Sequence, residues 1–172
     1  MKILFLGAPG SGKSTQGQIL ANDNGWIWLS SGELCRNSGN PEILEIIKGA
    51  KLIPDDMIAE MMLEVINEHS EASFVFDGFP RNYQQCEILT RNEIDIDLVL
   101  EINVPKEELL ARVALRGREQ DTEETMLERI DMYEKSRDEI IGYYSEKGVK
   151  CEIVNGVGEI DEIAQRVKEA IL

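Results

Sequence analysis

Hydrophobic and polar positions divide the chain into short apolar runs separated by longer segments with helical spacing. The apolar runs predict five strands, at residues 3–6, 26–29, 74–76, 98–104 and 152–154. The other segments predict helices at residues 13–21, 54–68, 83–91, 106–116, 123–146 and 160–171. Because apolar runs without strict alternation suit strands covered on both faces, we expect an α/β fold with a doubly wound, parallel five-stranded sheet flanked by helices.

The segment after the first run is rich in glycine. Residues Gly7 to Ser14 read GAPGSGKS, which fits the phosphate-binding pattern G-x-x-x-x-G-K-[ST] between a predicted strand and a predicted helix. The glycines let successive N–H groups converge on one anion, and the positive end of the helix adds to the same spot. Lys13 can then reach the outer phosphates, and the hydroxyl of Ser14 or Thr15 can face a bound Mg²⁺. The segment predicts that the protein binds a nucleoside triphosphate.

Composition narrows the classes of partner. The 172 residues carry a net charge of −15, which argues against a nucleic-acid partner. The three cysteines are far apart in sequence and indicate reduced thiols in a cytosolic protein. A single histidine, His69, excludes a histidine metal site or a Ser-His-Asp triad. The first apolar run is too short for a signal peptide or a membrane span, so we expect a cytoplasmic protein without a membrane partner.

A second motif follows the third apolar run, which ends in the carboxylate of Asp77. In phosphate-loop enzymes an acidic residue at this place acts on Mg²⁺ through its hydration shell. Gly78 permits close backbone approach, and Pro80 stiffens the turn that presents Arg81. The alternative interpretation is a strand-terminating turn with incidental charges.

The segment after the second run predicts a short helix. Ser31 is the expected N-cap, and Glu33 favours a helix start. Arg36 would then project towards the mouth of the sheet.

Arginines cluster further along the chain. Arg112 and Arg116 lie four residues apart on a predicted helix, Arg118 follows, and Arg129 lies on the next helix. Glu108 could pair with Arg112, whereas the later arginines have no acid immediately before them. In so acidic a chain the cluster suggests a phosphate clamp, because guanidinium groups match phosphate oxygens and stay charged. A surface salt-bridge network is the alternative.

These residues together resemble the adenylate kinase family. The matching segments occur in the family's order and span essentially the whole chain: GAPGSGKSTQ at 7–16, SGELCR at 31–36, KLIPD at 51–55, DGFPR at 77–81, Gln85, and the arginines from 116 to 129. The resemblance implies transfer of a phosphoryl group from Mg-ATP to AMP, which gives two ADP. No general base is needed, because such transfer depends on positioning and charge stabilisation.

The resemblance also implies a role for each site residue. The ATP-binding residues would be Gly7, Pro9, Gly10, Ser11, Gly12, Lys13, Ser14, Thr15 and Arg112, with Arg112 against the adenine. The AMP-binding residues would be Ser31, Arg36, Leu52, Ile53, Gly78, Arg81 and Gln85, with Gln85 on the adenine. The catalytic residues would be Lys13, Arg36, Arg81, Arg116, Arg118 and Arg129. Ser14 and Asp77 would hold the Mg²⁺ cofactor through water.

The resemblance implies a single domain over residues 1–172. It would contain an inserted monophosphate-binding arm at about 31–69 and a very short lid at about 117–121. Both arms are shorter than is usual in the family, so we expect a less completely covered site and more ATP hydrolysis. The expected partners are ATP, AMP and the product ADP, and the expected state is a monomer.

Three other functions stay open at this point. A UMP/CMP kinase shares the scaffold, but such relatives typically have Asn in place of Gln85 and often Ala in place of Ser31. A regulatory ATPase or GTPase module would be distinguished by a guanine-reading N-K-x-D loop, which the sequence lacks, and it would not need Arg36 and Arg81. A catalytically inactive relative would be expected to have lost Lys13 or the arginines, and all of them are present.

Overall fold

The computed structural model describes residues 1–48, 53–116 and 122–172. Its five strands are β1 Lys2–Leu6, β2 Ile27–Ser30, β3 Phe74–Asp77, β4 Leu98–Asn103 and β5 Lys150–Asn155. They form one parallel sheet in the order β2-β3-β1-β4-β5. The predicted doubly wound sheet is therefore confirmed. The winding reverses around β1, and ligands of such sheets bind at that point, beyond the carboxyl ends of the strands.

Helices connect the strands and cover both faces of the sheet. They are α1 Lys13–Asn24, α2 Ser31–Asn37, α3 Pro41–Lys48, α4 Asp55–Glu68, α5 Tyr83–Arg91, α6 Lys106–Arg116, α7 Glu123–Glu146 and α8 Ile160–Ala170. The six helices predicted from spacing are confirmed, with small shifts at their ends. Helix α3 was not predicted, because its eight residues form only about two turns and are too few to show a clear helical period. Within the described residues, no helix combines the length and apolar character needed to cross a membrane.

Alternate side chains of the central strands enter two separate cores. In β1, Ile3 and Phe5 pack into one core with residues of α1, α6 and α8. Leu4 and Leu6 pack into the other core with residues of α4, α5 and α7. Full burial of each large apolar side chain contributes about 1.5–3 kcal/mol, so the central strands are held firmly from both faces. The strand ends that carry the polar motifs are thereby fixed relative to one another.

Candidate active site

The carboxyl ends of β1, β2 and β3 lie side by side. Asp77, the last residue of β3, pairs in register with Phe5 of β1 and with Ser30 of β2. The glycine-rich loop after β1 and the turn after β3 therefore leave the sheet at the same edge. The start of α2 leaves the sheet there too, because β2 ends directly before it.

The glycine-rich loop has the geometry of an anion cradle. Gly10 and Gly12 have φ of 89° and 87°, in the left-handed region that favours glycine. A side chain at Gly7 would collide with the Ser11 hydroxyl. The Ser11 hydroxyl is buried and has no hydrogen-bond partner among the described residues. A donor left without a partner inside this loop fits a bound phosphate group.

The first turn of α1 is open to a negative charge. Its N-cap, Gly12, has no side-chain cap within the described structure, and the turn contains no acidic residue. Helix α5 shares the second feature, whereas each other helix of the described part has at least one acid in its first turn. The start of α5 is capped by the Asn82 side chain, so α1 is the helix start best suited to a phosphate group.

Lys13 and Asp77 join the loop to the end of β3. Lys13 Nζ lies 3.3 Å from Asp77 Oδ1, and the Asp77 side chain is only 3% exposed. Among the described residues there is no group of three or more histidine, cysteine, aspartate or glutamate side chains that could hold a metal ion. Mg²⁺ bound with a nucleotide needs few protein ligands, because phosphates and water supply the rest. The Asp77 carboxylate and the Ser14 hydroxyl in the first turn of α1 fit that donor set.

The turn after β3 holds two predicted AMP-binding residues through one backbone carbonyl. The Gly78 carbonyl accepts hydrogen bonds from Ser31 Oγ at 2.7 Å and from Arg81 Nε at 2.6 Å. Gly78 has φ of 80°, and a Cβ there would lie 2.9 Å from both Ser31 Oγ and Arg81 Nη2. A larger residue here would be strained by the positive φ and would displace the Ser31 and Arg81 side chains. The prediction that Ser31 caps α2 was wrong, because Ser30 Oγ accepts from Glu33 N while the Ser31 hydroxyl turns to Gly78.

The pKa shifts of Cys35 and Arg81 show which cationic side chains lie near the turn after β3. Desolvation raises the pKa of the buried Cys35 thiol, and the charges of Arg81 and Arg36 oppose that shift. Desolvation also lowers the pKa of Arg81, although the residue keeps a solvent-exposed surface; Asp77 opposes the lowering and Arg129 adds to it. Arginine remains protonated despite such shifts. Arg36, Arg81 and Arg129, which come from α2, the turn after β3 and α7, therefore lie in one cationic region.

Arg112 connects three elements. Its Nε donates to Glu108 Oε1 at 3.0 Å, so the predicted pair is confirmed. Its Nη2 donates to the Gly156 carbonyl at 2.9 Å, and its Nη1 lies 3.5 Å from the Ser11 carbonyl. The guanidinium therefore bridges the glycine-rich loop and the turn after β5. Sequence reasoning missed Gly156, although a glycine directly after a strand is a signal of close backbone approach.

Gln85 is buried and hydrogen-bonded at both ends of its side-chain amide. It is 1% exposed, in the first turn of α5. Its Oε1 accepts from the Arg81 backbone N–H at 2.6 Å, and its Nε2 donates to Asp55 Oδ1 at 2.6 Å. Asp55 Oδ2 accepts from Asn82 Nδ2 at 2.9 Å. Sequence reasoning assigned Asp55 no side-chain partner, so this connection between α4 and α5 was missed.

A partly buried ion pair ties α7 to the sheet. Arg137 Nη2 donates to Glu101 Oε2 at 2.6 Å, and Tyr133 Oη donates to Glu101 Oε1 at 2.9 Å. Hydrogen bonding to Glu101 raises the pKa of Arg137, while desolvation and then Glu101 raise the pKa of Tyr133. Arg129, Tyr133 and Arg137 follow at four-residue intervals, so they share one face of α7. This cluster, also missed from the sequence, orients the helix that carries Arg129.

The remaining predicted residues fall into two groups. Pro9 lies in the glycine-rich loop, Thr15 lies in the first turn of α1, and Ile53 is half-buried shortly before α4. Outside the described residues lie Leu52, Arg118, the lid at 117–121 and the side chain of Arg116.

Comparison with known proteins identifies the family. The family model described as adenylate kinase matches residues 5–149. Similar proteins include the adenylate kinases of Thermus thermophilus, 37% identical over 98% of this chain and 96% of the relative, and of Mycolicibacterium paratuberculosis, 36% identical over 96% of each. The adenylate kinase of Prochlorococcus marinus is 32% identical over 97% of this chain and 96% of its own. The chain belongs to the adenylate kinase family of nucleoside monophosphate kinases.

Proposed function

We propose that this protein reversibly transfers the γ-phosphoryl group of Mg-ATP to AMP and so forms two ADP. One observation supports the proposal: two sets of groups suited to binding phosphate lie at one edge of the sheet. The glycine-rich loop with Lys13 forms the first set, and the cationic region of Arg36, Arg81 and Arg129 forms the second. A protein that only binds a triphosphate has no need of the second set.

The donor site is the glycine-rich loop and the first turn of α1. The backbone N–H groups of the loop and the Ser11 hydroxyl bind the phosphates of ATP, and Lys13 moves from Asp77 to the outer phosphates. Arg112, held at the Gly156 carbonyl, lies against the adenine. Ser14 and Asp77 would hold Mg²⁺ through water, and the bound ion would supply neutralisation of phosphate charge.

The acceptor site lies between α2, α4 and the turn after β3. Arg36 and Arg81 hold the phosphate of AMP, and Gln85 bonds the adenine. Ser31, Gly78 and Ile53 complete the pocket, together with Leu52. Because Gln85 is 1% exposed, AMP reaches it only when part of the arm at about 31–69 moves, while the start of α4 stays bonded to Gln85.

The chain's own groups perform the reaction by positioning and by charge. Six cationic side chains stabilise the charge on the transferring group: Lys13, Arg36, Arg81, Arg116, Arg118 and Arg129. The arm at 31–69 and the lid at 117–121, both within one domain, exclude water from the reacting groups. Since these arms are short, ATP hydrolysis without AMP should be measurable beside transfer; hydrolysis that is negligible beside transfer would contradict this part of the proposal. We also propose that the protein acts as a monomer in the cytoplasm.

A coupled assay of nucleoside diphosphate formation tests the proposal. Mg-ATP is supplied with AMP, CMP, UMP or GMP in parallel, and we expect rapid turnover with AMP alone. A preference for CMP or UMP would instead support the pyrimidine alternative, which the similarity to adenylate kinases does not favour. Binding of ATP without transfer to any monophosphate would contradict the proposal and indicate a regulatory module.

A further inference from the structure

The side-chain amide of Gln85 is held between two partners of opposite character. The Arg81 backbone N–H donates to Oε1, and the Asp55 carboxylate accepts from Nε2. A backbone N–H can only donate, and a carboxylate can only accept. With the amide turned over, N–H would face N–H and oxygen would face oxygen. Only one orientation of the Gln85 amide therefore satisfies both neighbours.

Asp55 is itself held in place for this task. Its Oδ1 accepts from Gln85 and its Oδ2 from Asn82 Nδ2. Asn82 is the N-cap of α5, and its Oδ1 accepts from the Gln85 backbone N–H at 2.8 Å. The carboxylate at the start of α4 and the cap of α5 thus form one network around the amide. Such a network fixes the orientation of the Gln85 amide more strictly than a single hydrogen bond would.

The fixed orientation leaves one donor and one acceptor on the amide. A carboxamide has two N–H donors and two oxygen lone pairs, and the network uses one of each. The adenine edge presents an acceptor at N1 beside a donor at the 6-amino group, which matches the remaining pair. Hypoxanthine, the base of IMP, has nearly the same shape but presents N1–H as a donor beside the 6-oxo acceptor. An amide that cannot turn over discriminates against that reversed edge.

We propose that Asp55 is a specificity-determining positioning residue that prevents the Gln85 amide from turning over and so makes the acceptor site read a 6-amino purine rather than a 6-oxo purine. The inference rests on the proposed function, in which Gln85 contacts the base of the acceptor. Asp55 touches Gln85 rather than the substrate, so its effect falls on discrimination between bases and not on phosphoryl transfer.

The test compares kcat/KM for AMP and for IMP in three proteins: wild type, Asp55→Asn and Asp56→Asn. Asp56 is the matched control, since it adjoins Asp55 in the first turn of α4 and is exposed. We expect Asp55→Asn to lower the AMP/IMP ratio by at least about tenfold, because asparagine replaces one carboxylate oxygen with an N–H donor and can therefore face either orientation of the Gln85 amide. Asp56→Asn should leave the ratio within about twofold of wild type, as surface substitutions usually do.

A second variant answers the question if Asp55→Asn does not fold. Asn82→Ser keeps a good N-cap for α5 but loses the amide donor that holds Asp55. We expect it to lower the AMP/IMP ratio in the same direction by about threefold. Thermal unfolding of each variant is measured alongside, since a loss of structure alone would reduce both substrates together and leave the ratio unchanged.

The outcomes separate the two proposals. Failure of the wild type to phosphorylate AMP would contradict the proposed function itself. A wild type that prefers AMP, with an unchanged ratio in folded Asp55→Asn and in Asn82→Ser, would overturn only the role of Asp55. An equal fall in Asp56→Asn would overturn it as well, because the cause would then be charge at the start of α4.

Discussion

The two regions proposed to bind phosphate are constructed differently. The donor region is local: one loop and one helix start, all within residues 7–15, supply its donors and its lysine. The acceptor region is assembled from distant parts of the chain. Ser31 bonds to Gly78, and Asp55 bonds to Gln85, across separations of 47 and 30 residues. A loop that binds through its backbone recognises phosphate in any nucleotide, whereas side chains brought together by tertiary packing can select a base.

The largest expected effect lies in the donor region. Lys13→Met removes the ammonium group proposed to move from Asp77 to the outer phosphates. We expect kcat to fall by about 10³-fold, because removal of one charge-stabilising group costs about 3–4 kcal/mol in the transition state. Steady-state ADP formation measures the loss. Lys106→Met is the control, since this half-exposed lysine pairs only with Asp131 at 3.4 Å in the described structure; an equal loss there would contradict the assignment.

The next effect is on the free energy of unfolding. Glu101→Gln leaves the Arg137 guanidinium in the β4–α7 contact paired only with the exposed carboxylate of Asp138. We expect a loss of about 2 kcal/mol in urea unfolding, because Tyr133 and the partly buried Arg137 both lose their bonds to a charged acceptor. Asp131→Asn, in an exposed pair with Lys106, should cost less than about 1 kcal/mol. If the two variants lose equal stability, the Glu101 cluster is not what anchors α7.

Arg81→Lys tests the acceptor region through its phosphate contact. Lysine keeps the charge but loses the planar fork that bonds Gly78 and would grip the phosphate of AMP. We expect KM for AMP to rise by about 50-fold with KM for ATP nearly unchanged. The matched control is Arg91→Lys, at the exposed end of α5, where the arginine pairs with Glu87. A comparable rise in KM for ATP would place Arg81 outside the acceptor region.

Ser31→Ala gives the smallest expected effect. It removes one hydrogen bond to the Gly78 carbonyl, which Arg81 also contacts. We expect KM for AMP to rise by about fivefold, in line with about 1 kcal/mol for one hydrogen bond. Ser136→Ala on α7 serves as the control, because that serine bonds only to a carbonyl of its own helix in the described part. No change in Ser31→Ala would remove this serine from the acceptor region.

The same contrast explains what the sequence could predict. The sheet, six helices and the glycine-rich loop follow from local patterns, because apolar runs and the loop motif are contiguous in sequence. The partners of Gln85 and Glu101 depend on how distant elements pack, and no local pattern encodes that. The N-cap of α2 shows where prediction from sequence fails. Ser30 and Ser31 are adjacent and chemically alike, and the position at which β2 ends determines that Ser30 is the cap.

The central claim is that the donor and acceptor sites are separate and that Gln85 reads the base in the acceptor site only. Gln85→Asn tests this claim most directly. Asparagine keeps the amide but is one methylene shorter, so it cannot both keep the Asp55 contact and reach the adenine. We expect KM for AMP to rise by at least about tenfold while KM for ATP stays within about twofold of wild type. Equal losses for AMP and ATP would contradict the claim and remove Gln85 from the acceptor site.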